Sequence, residues 1–313
     1  MIPAASRPIF TVVAASLTLA STSNAAPRLE DTALLALRAQ DRRVLAIGWR
    51  LTESMAELCA NARPGLGWLL HDLDQYRPAL RNDVEAAFGL GAGELGVLAL
   101  APDAPAARAG VREGDVVLMY GALKLERSGA VSPSADHASL ARDLWSIEQQ
   151  TSSGPISVRV RRGSQSVDLV LQPALHCPWP VQVEISPRLS AAADGVRVSV
   201  SSALADFASR DDDLAFIIAH EMAHNLRRPD ETGVGRGSRP REVEADRIGL
   251  ILAARAGYDT AGAGTFMTAI GRRAGSRLQW FSGHPPIAER AATLNRLHLW
   301  IEAERRAGRP LRP

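Results

Sequence analysis

Cysteine, lysine, aromatic residues and long uncharged apolar runs are all scarce in this chain of 313 residues, and each scarcity closes off a class of protein. Two cysteines, Cys59 and Cys177, are too few for a disulfide-dense scaffold, and neither has a second cysteine nearby with which to build a thiolate metal knuckle. Lys124 is the sole lysine; the basic residues are otherwise arginines scattered among acids, the net charge is only +2, and nothing resembles the basic stripe of a nucleic-acid binder. Aromatics make up 5% of the residues and are dispersed, which reads as core or interface rather than a recognition box. Beyond the first 25 residues no segment is long and uncharged enough to cross a bilayer. The length suits two domains, and no internal repeat is visible.

The N-terminus sets an expected compartment. Arg7 precedes an apolar stretch from Ile9 to Ala20, and small and polar residues then lead to Ser23-Asn24-Ala25. This is the pattern of a secretory signal peptide over residues 1–25, either cleaved after Ala25 or retained as a single anchor, and it implies export across the inner membrane, most naturally to a periplasm. In that oxidising setting Cys59 and Cys177 are expected to pair as a disulfide.

The chemistry is concentrated in His220-Glu221-Met222-Ala223-His224. Residues at i and i+4 share one helix face, so both imidazoles can reach one metal ion, with Glu221 between them placed to act on water as a general base. The preceding stretch, acidic at Asp211-Asp212-Asp213 and then largely apolar, predicts a buried helix. Downstream, Glu242 and Asp246 lie four residues apart on a second predicted helix running through Ile248, Leu250, Ile251 and Leu252, so a carboxylate is available as third ligand. The Gly- and Pro-containing stretch from Arg227 to Arg241 between them reads as a loop.

Together these motifs resemble the gluzincin metallopeptidases related to the CaaX prenyl protease and HtpX, which pair HExxH with a downstream ExxxD. The resemblance implies one zinc ion per chain held by His220, His224 and Glu242. It further implies Glu221 as the base and Asp246 as the acceptor that orients a ligand histidine. Ser282-Gly283-His284-Pro285-Pro286-Ile287-Ala288-Glu289-Arg290 resembles the family's C-terminal HPxxxxR segment. By that resemblance His284 would occupy the open zinc position in a resting state. Arg290 has two readings: a positive group aimed at the developing oxyanion, or a structural residue paired with Glu289 or a carbonyl. Val181 to Ile185 and Val196 to Val200 alternate as strands, and the second resembles the family's edge strand, along which a substrate would align.

A second module lies between the cysteines. The stretch from Gly91 to Leu100, followed by Ala104-Pro105-Ala106-Ala107-Arg108-Ala109-Gly110-Val111-Arg112-Glu113-Gly114-Asp115-Val116, resembles a PDZ domain. Residues 134–149 read as its helix, and 156–160 with 167–171 as a hairpin. That resemblance makes Gly93, Glu94, Leu95, Gly96 and Val97 the loop expected to bind a peptide or chain end, against the alternative that these glycines only form a turn.

The expected fold is α+β: a mostly helical zincin-type peptidase with a small sheet, split by an inserted β-rich PDZ domain. The expected division is a signal peptide (1–25), an N-terminal peptidase part (26–85), the PDZ domain (86–175) and the catalytic domain (176–313). The expected activity is zinc-dependent hydrolysis of unfolded or misassembled envelope proteins. The alternatives are a chaperone-like client binder with a weak or self-blocked zinc site, and a processing enzyme with one substrate.

Overall fold

The computed structural model describes residues 29–125, 131–227, 239–274 and 286–313. The first helix, α1 (Leu29–Ser54), serves two neighbours at once. Val44, Ile47 and Leu51, spaced three and four apart and continued by Met55, are buried in the core of the C-terminal half. Trp49 leaves the opposite side and packs against Ala101 and Ala104 of the module.

The module opens with β1 (Arg63–Gly65), β2 (Trp68–His71) and α2 (Arg81–Phe88). It continues through β3 (Gly96–Leu100), the one-turn α3 (Pro105–Arg108), β4 (Val116–Tyr120), β5 (Leu123–Lys124) and α4 (Ala138–Gln150). The hairpin β6 (Ile156–Arg162) and β7 (Gln165–Leu171) follows, then β8 (Ala174–His176). The six-stranded sheet runs β2-β3-β4-β6-β7, with β5 on β4, and all its pairings are antiparallel. In β6, Ile156, Val158 and Val160 face the core while Ser157 and Arg159 face solvent, the period of two that a half-covered sheet requires. By contrast β3 is buried at every position, because Val97 and Leu100 join one hydrophobic cluster and Leu98 another on the opposite face.

The helix expected from residue 134 starts at Ala138 instead. Arg81 donates to the carbonyls of Ser132 and Ser134, which occupies those groups outside the helix, and the Asp136 carboxylate accepts from the Ala138 amide at the first helical residue. His71, in β2, is buried with its Nδ1 3.0 Å from the Tyr76 hydroxyl; burial pushes its pKa down to about 4.

The module's ends are tied together. β1 pairs with β8 in a two-stranded ladder, and Cys59 is disulfide-bonded to Cys177 just outside it. The chain then forms β9 (Val181–Glu184), β10 (Ala191–Ala193) and β11 (Val198–Ser201), a sheet in the order β10-β11-β9. The strand expected at the edge, 196–200, is therefore the middle one: β11 pairs antiparallel with β10 and parallel with β9. The edge strand β10 escaped notice because Ala191, Ala192 and Ala193 carry no hydrophobic alternation.

The helices α5 (Ser202–Phe207), α6 (Asp211–Arg227), α7 (Arg239–Arg255), α8 (Ala263–Ala274) and α9 (Ile287–Arg306) complete the fold. Ser201 caps α5 by accepting the Leu204 amide at 3.1 Å. Asp211, Asp212 and Asp213 occupy the first turn of α6, where the helix dipole favours negative charge. Leu214, Phe216, Ile217 and Ile218 behind them are all buried, each contributing about 1.5–3 kcal/mol of transfer free energy. No described helix is long and apolar enough to cross a membrane.

Candidate metal centre

Helices α6 and α7 bring the candidate ligands together by unusually close packing. A Cβ at Gly249 would stand 2.7 Å from both the Cα and N of His220, so the two backbones touch at this crossing. Glu242, Asp246 and Gly249 recur at intervals of four and three, so the face of α7 that touches α6 also carries both carboxylates.

From this crossing, ligand atoms of His220, His224 and Glu242 all lie within 4.8 Å of one another. Glu242 Oε2 is 3.3 Å from His220 Nε2, its Oε1 is 3.6 Å from His224 Nε2, and the two Nε2 atoms are 3.3 Å apart. His220 and Glu242 are buried, while the His224 side chain keeps 28% exposure and gives the site an open side. Two imidazoles and a carboxylate, with one side open, match the donor set of a catalytic Zn2+ site. Glu221, only 4% exposed, occupies the position between the histidines on α6.

Behind His220 stands a second layer. Asp246 Oδ1 is 3.0 Å from His220 Nδ1, so Nδ1 donates to Asp246 and Nε2 is the ring atom turned toward Glu242 and His224. Burial alone would lower the His220 pKa, but the hydrogen bonds to Asp246 and Glu242 overcome it and raise it to about 9. Two carboxylates crowding one imidazole make an electronegative pocket that a dication would neutralise. Asp246 is itself pulled two ways: desolvation raises its pKa, while Arg290 and His220 more than offset that and hold it below the usual carboxylate range.

Arg290 takes a partner that neither sequence reading named. It reaches over from α9 and grips Asp246 with two hydrogen bonds, Nε to Oδ2 at 2.7 Å and Nη2 to Oδ1 at 2.6 Å, and is only 2% exposed. A bidentate buried pair fixes the guanidinium behind the ligand layer, where it orients Asp246 and through it His220. His284 lies outside the described residues, as do residues 1–25 and most of the loop between α6 and α7.

Asn225, directly after the second histidine, was missed in the sequence. It is buried; its Oδ1 accepts from the Gly195 amide at 2.7 Å and its Nδ2 donates to the Arg197 carbonyl at 3.4 Å. These bonds fasten the β10–β11 turn to the helix that bears the histidines.

The five residues expected to bind peptide do not form an edge. Gly96 and Val97 belong to β3, which has β2 on one side and β4 on the other, so a strand cannot add there. Leu95 and Val97 are fully buried, Gly93 sits in a turn at φ +73°, and Glu94 is bonded to the Gly91 amide and to Arg161. Among the described residues the sheet ends at β2 on one side and at β7 on the other. Leading into β2 is Gly65-Leu66-Gly67-Trp68, a second glycine–apolar–glycine stretch that was passed over. Among the described residues, neither the Leu66 nor the Gly67 amide donates to a backbone carbonyl.

Comparison with known proteins bears on the C-terminal half. Residues 173–232 and 230–298 match the model of peptidase family M48, a stretch that contains β9–β11, α6, α7 and the Arg290 turn of α9. The match supports a zincin-type metallopeptidase. Zinc peptidases make up that family, in agreement with the His220, His224 and Glu242 cluster. Similar solved structures include the HtrA-type protease AlgW with decapeptide, at 24% identity over 37% of this chain and 30% of that one, TM-score 0.28. The HtrA3 PDZ domain bound to a phage-derived ligand is 19% identical over 37% of this chain and 89% of that one, TM-score 0.27. The chain thus spans under a third of the length of AlgW. No curated protein matches.

Proposed function

We propose that the chain is an exported zinc endopeptidase that cleaves unfolded or misassembled proteins, with a PDZ module that holds a stretch or an end of the client. The observation that carries this reading is the buried convergence of His220, His224 and Glu242 beside Glu221, oriented from behind by Asp246 and Arg290. A purely structural site would have no use for an open side or for a buried carboxylate between its histidines.

Zn2+ held by the three ligands would supply a Lewis acid that polarises the scissile carbonyl and acidifies water. Glu221 then takes the proton of the attacking water and passes it to the leaving amine. Asp246 keeps the Nδ1 proton of His220 in place, and Arg290 keeps Asp246 ionised and fixed. The free edge of β10, packed along α6 and fastened through Asn225, is the rail on which an extended substrate backbone would lie beside the site. Chain ends would be taken separately, at the β2 edge, with the Leu66 and Gly67 amides donating to a carboxylate. The signal pattern over residues 1–25 and the Cys59–Cys177 bond both favour an oxidising, periplasmic setting.

The deciding experiment compares cleavage of a reduced, unfolded protein by the wild type and by Glu221→Gln at measured zinc content. Equal zinc with cleavage confined to the wild type, a loss of at least ~10³-fold in the variant, is the expected result. Equal cleavage by both would remove Glu221 as the base. No cleavage by either, at full zinc, would leave the chain a client binder.

A further inference from the structure

Strands β10 and β11 meet in a two-residue tip. Their register pairs Ala193 with Val198, so Asp194 and Arg197 close the hairpin, the Asp194 amide donating to the Arg197 carbonyl at 3.3 Å, and Gly195 and Val196 stand at its end. Gly195 takes φ +94°, which glycine adopts at no steric cost, and Asp194 Oδ1 accepts the Val196 and Arg197 amides, each at 2.8 Å. Asp194 and Gly195 are residues that a tight turn selects. Val196 is not: such positions favour Gly, Asn, Asp or Ser, which take positive φ or bond to nearby backbone, whereas a stiff β-branched side chain does neither. Val196 is 66% exposed and belongs to no hydrophobic cluster among the described residues.

Short links join this tip to the candidate metal centre. Asn225 directly follows His224 in α6, its Oδ1 accepts from the Gly195 amide at 2.7 Å, and its Nδ2 donates to the Arg197 carbonyl at 3.4 Å. Asn225 is only 4% exposed, so water competes little for these bonds. The tip cannot swing without breaking them, and Val196 keeps a fixed place at the end of α6 that carries the partly exposed His224. Strand β10 itself has little to discriminate with, because the methyl groups of Ala191, Ala192 and Ala193 let an extended backbone come close but form no side-chain pocket. Val196 is the next larger apolar side chain along the chain.

We propose that Val196 is a specificity residue of the cleft, taking an apolar side chain of an extended substrate that lies along β10, and that Asn225 is the positioning residue that holds it there. The proposal rests on the peptidase reading and deepens it, from a rail that accepts any backbone to one that selects among them. Backbone pairing to β10 is indifferent to sequence. Contact with Val196 is not, since covering it with an apolar side chain removes both from water, while an amide or hydroxyl placed there loses hydrogen bonds to water. The substrate class is therefore an extended segment carrying Leu, Ile, Val or Phe, residues that a folded protein hides and an unfolded one presents. Asn225 acts through the tip and touches no substrate.

The test uses the full chain carrying Glu221→Gln, so that peptide is held and not cut. Two Gly-Ser decapeptides, one with Leu-Val-Leu at its centre and one with Asn-Thr-Asn, are blocked at both ends so that no chain-end carboxylate contributes, and are titrated by calorimetry. The Leu-Val-Leu peptide is expected to bind at least about tenfold more tightly. Val196→Asn, which places an ordinary turn residue at the tip and should leave the melting curve unchanged, is expected to abolish that preference, and Val196→Ile to keep it. Asn225→Ala is expected to weaken the Leu-Val-Leu peptide about fivefold and leave the Asn-Thr-Asn peptide as it was, with faster hydrogen exchange at the Gly195 amide. Equal binding of the two peptides, binding of neither, or a preference that survives Val196→Asn overturns the role of Val196. An unchanged preference in Asn225→Ala, or an equal loss for both peptides, overturns the positioning role. Cleavage by the wild type without the preference would leave the peptidase reading standing and the tip without a part in it; the preference without cleavage would do the reverse.

Discussion

The buried histidines of the two halves, His220 and His71, are held on opposite terms. Around the candidate metal centre, buried groups are charged and consecutive: Arg290 to Asp246, Asp246 to His220, His220 to Glu242 and His224. In the module the buried His71 stands beside a tyrosine hydroxyl and is kept neutral by desolvation. A charged chain of contacts is oriented by its partners and fails as a unit when one is removed, whereas a neutral buried histidine only requires that the solvent not protonate it.

The largest test of that contrast is Arg290→Met. It leaves the Asp246 carboxylate buried without its bidentate partner and should cost about 3–5 kcal/mol, read by denaturant unfolding, together with weakened zinc retention. Arg159→Met, which removes an equally short but exposed pair with Asp168 on the module's outer face, should leave stability unchanged. Equal effects would erase the distinction between a buried ion pair and an exposed one.

Acid should act on the module through His71. In the unfolded chain this histidine takes up a proton near pH 6.5, in the folded one only near 4. The folded state thus binds fewer protons in between, and stability present above pH 6.5 is lost as the pH falls toward 4, by about 3 kcal/mol for this one group. Unfolding curves across that window, with His71→Phe as a variant lacking the titration, should show a flatter acid limb for the variant. An unchanged limb would place the acid sensitivity elsewhere.

The smallest expected effect sharpens the correction to the peptide site. Gly93→Ala, at φ +73°, should cost about 1 kcal/mol of stability in backbone strain and leave chain-end affinity as it was. Loss of peptide binding with the fold intact would return that role to residues 93–97.

These halves also differ in how far the sequence reveals them. The metal-centre residues announced themselves because the proposed chemistry resides in side chains at helical spacing, and two such motifs in the right order outweigh the exposed-face reading that either spacing alone allows. Arg290 was found but its partner was not, since Asp246 lies 44 residues away and a motif cannot say which way a guanidinium turns. In the module the groups proposed to bind are backbone amides, which every residue has. Two glycine-rich stretches, Gly65–Trp68 and Gly93–Val97, look alike as text, and only the strand order, which places β2 at the border and β3 inside, tells them apart. The same blindness hid β10, whose three alanines show neither period. Cys59 and Cys177 were legible for the reverse reason: with no other cysteine to choose from, connectivity had a single solution.

The crossing at Gly249 has a bearing on what the site can become. Because α6 and α7 meet backbone to backbone there, the gap between the histidine-bearing and carboxylate-bearing faces is a property of two main chains and cannot be retuned by exchanging a neighbouring side chain. Any residue larger than glycine must wedge the helices apart, and an increment of even an ångström at a reacting centre is worth about a hundredfold in rate. Position 249, about two helix turns from Glu242 along α7, therefore sets how closely the His220, His224 and Glu242 side chains can approach one another.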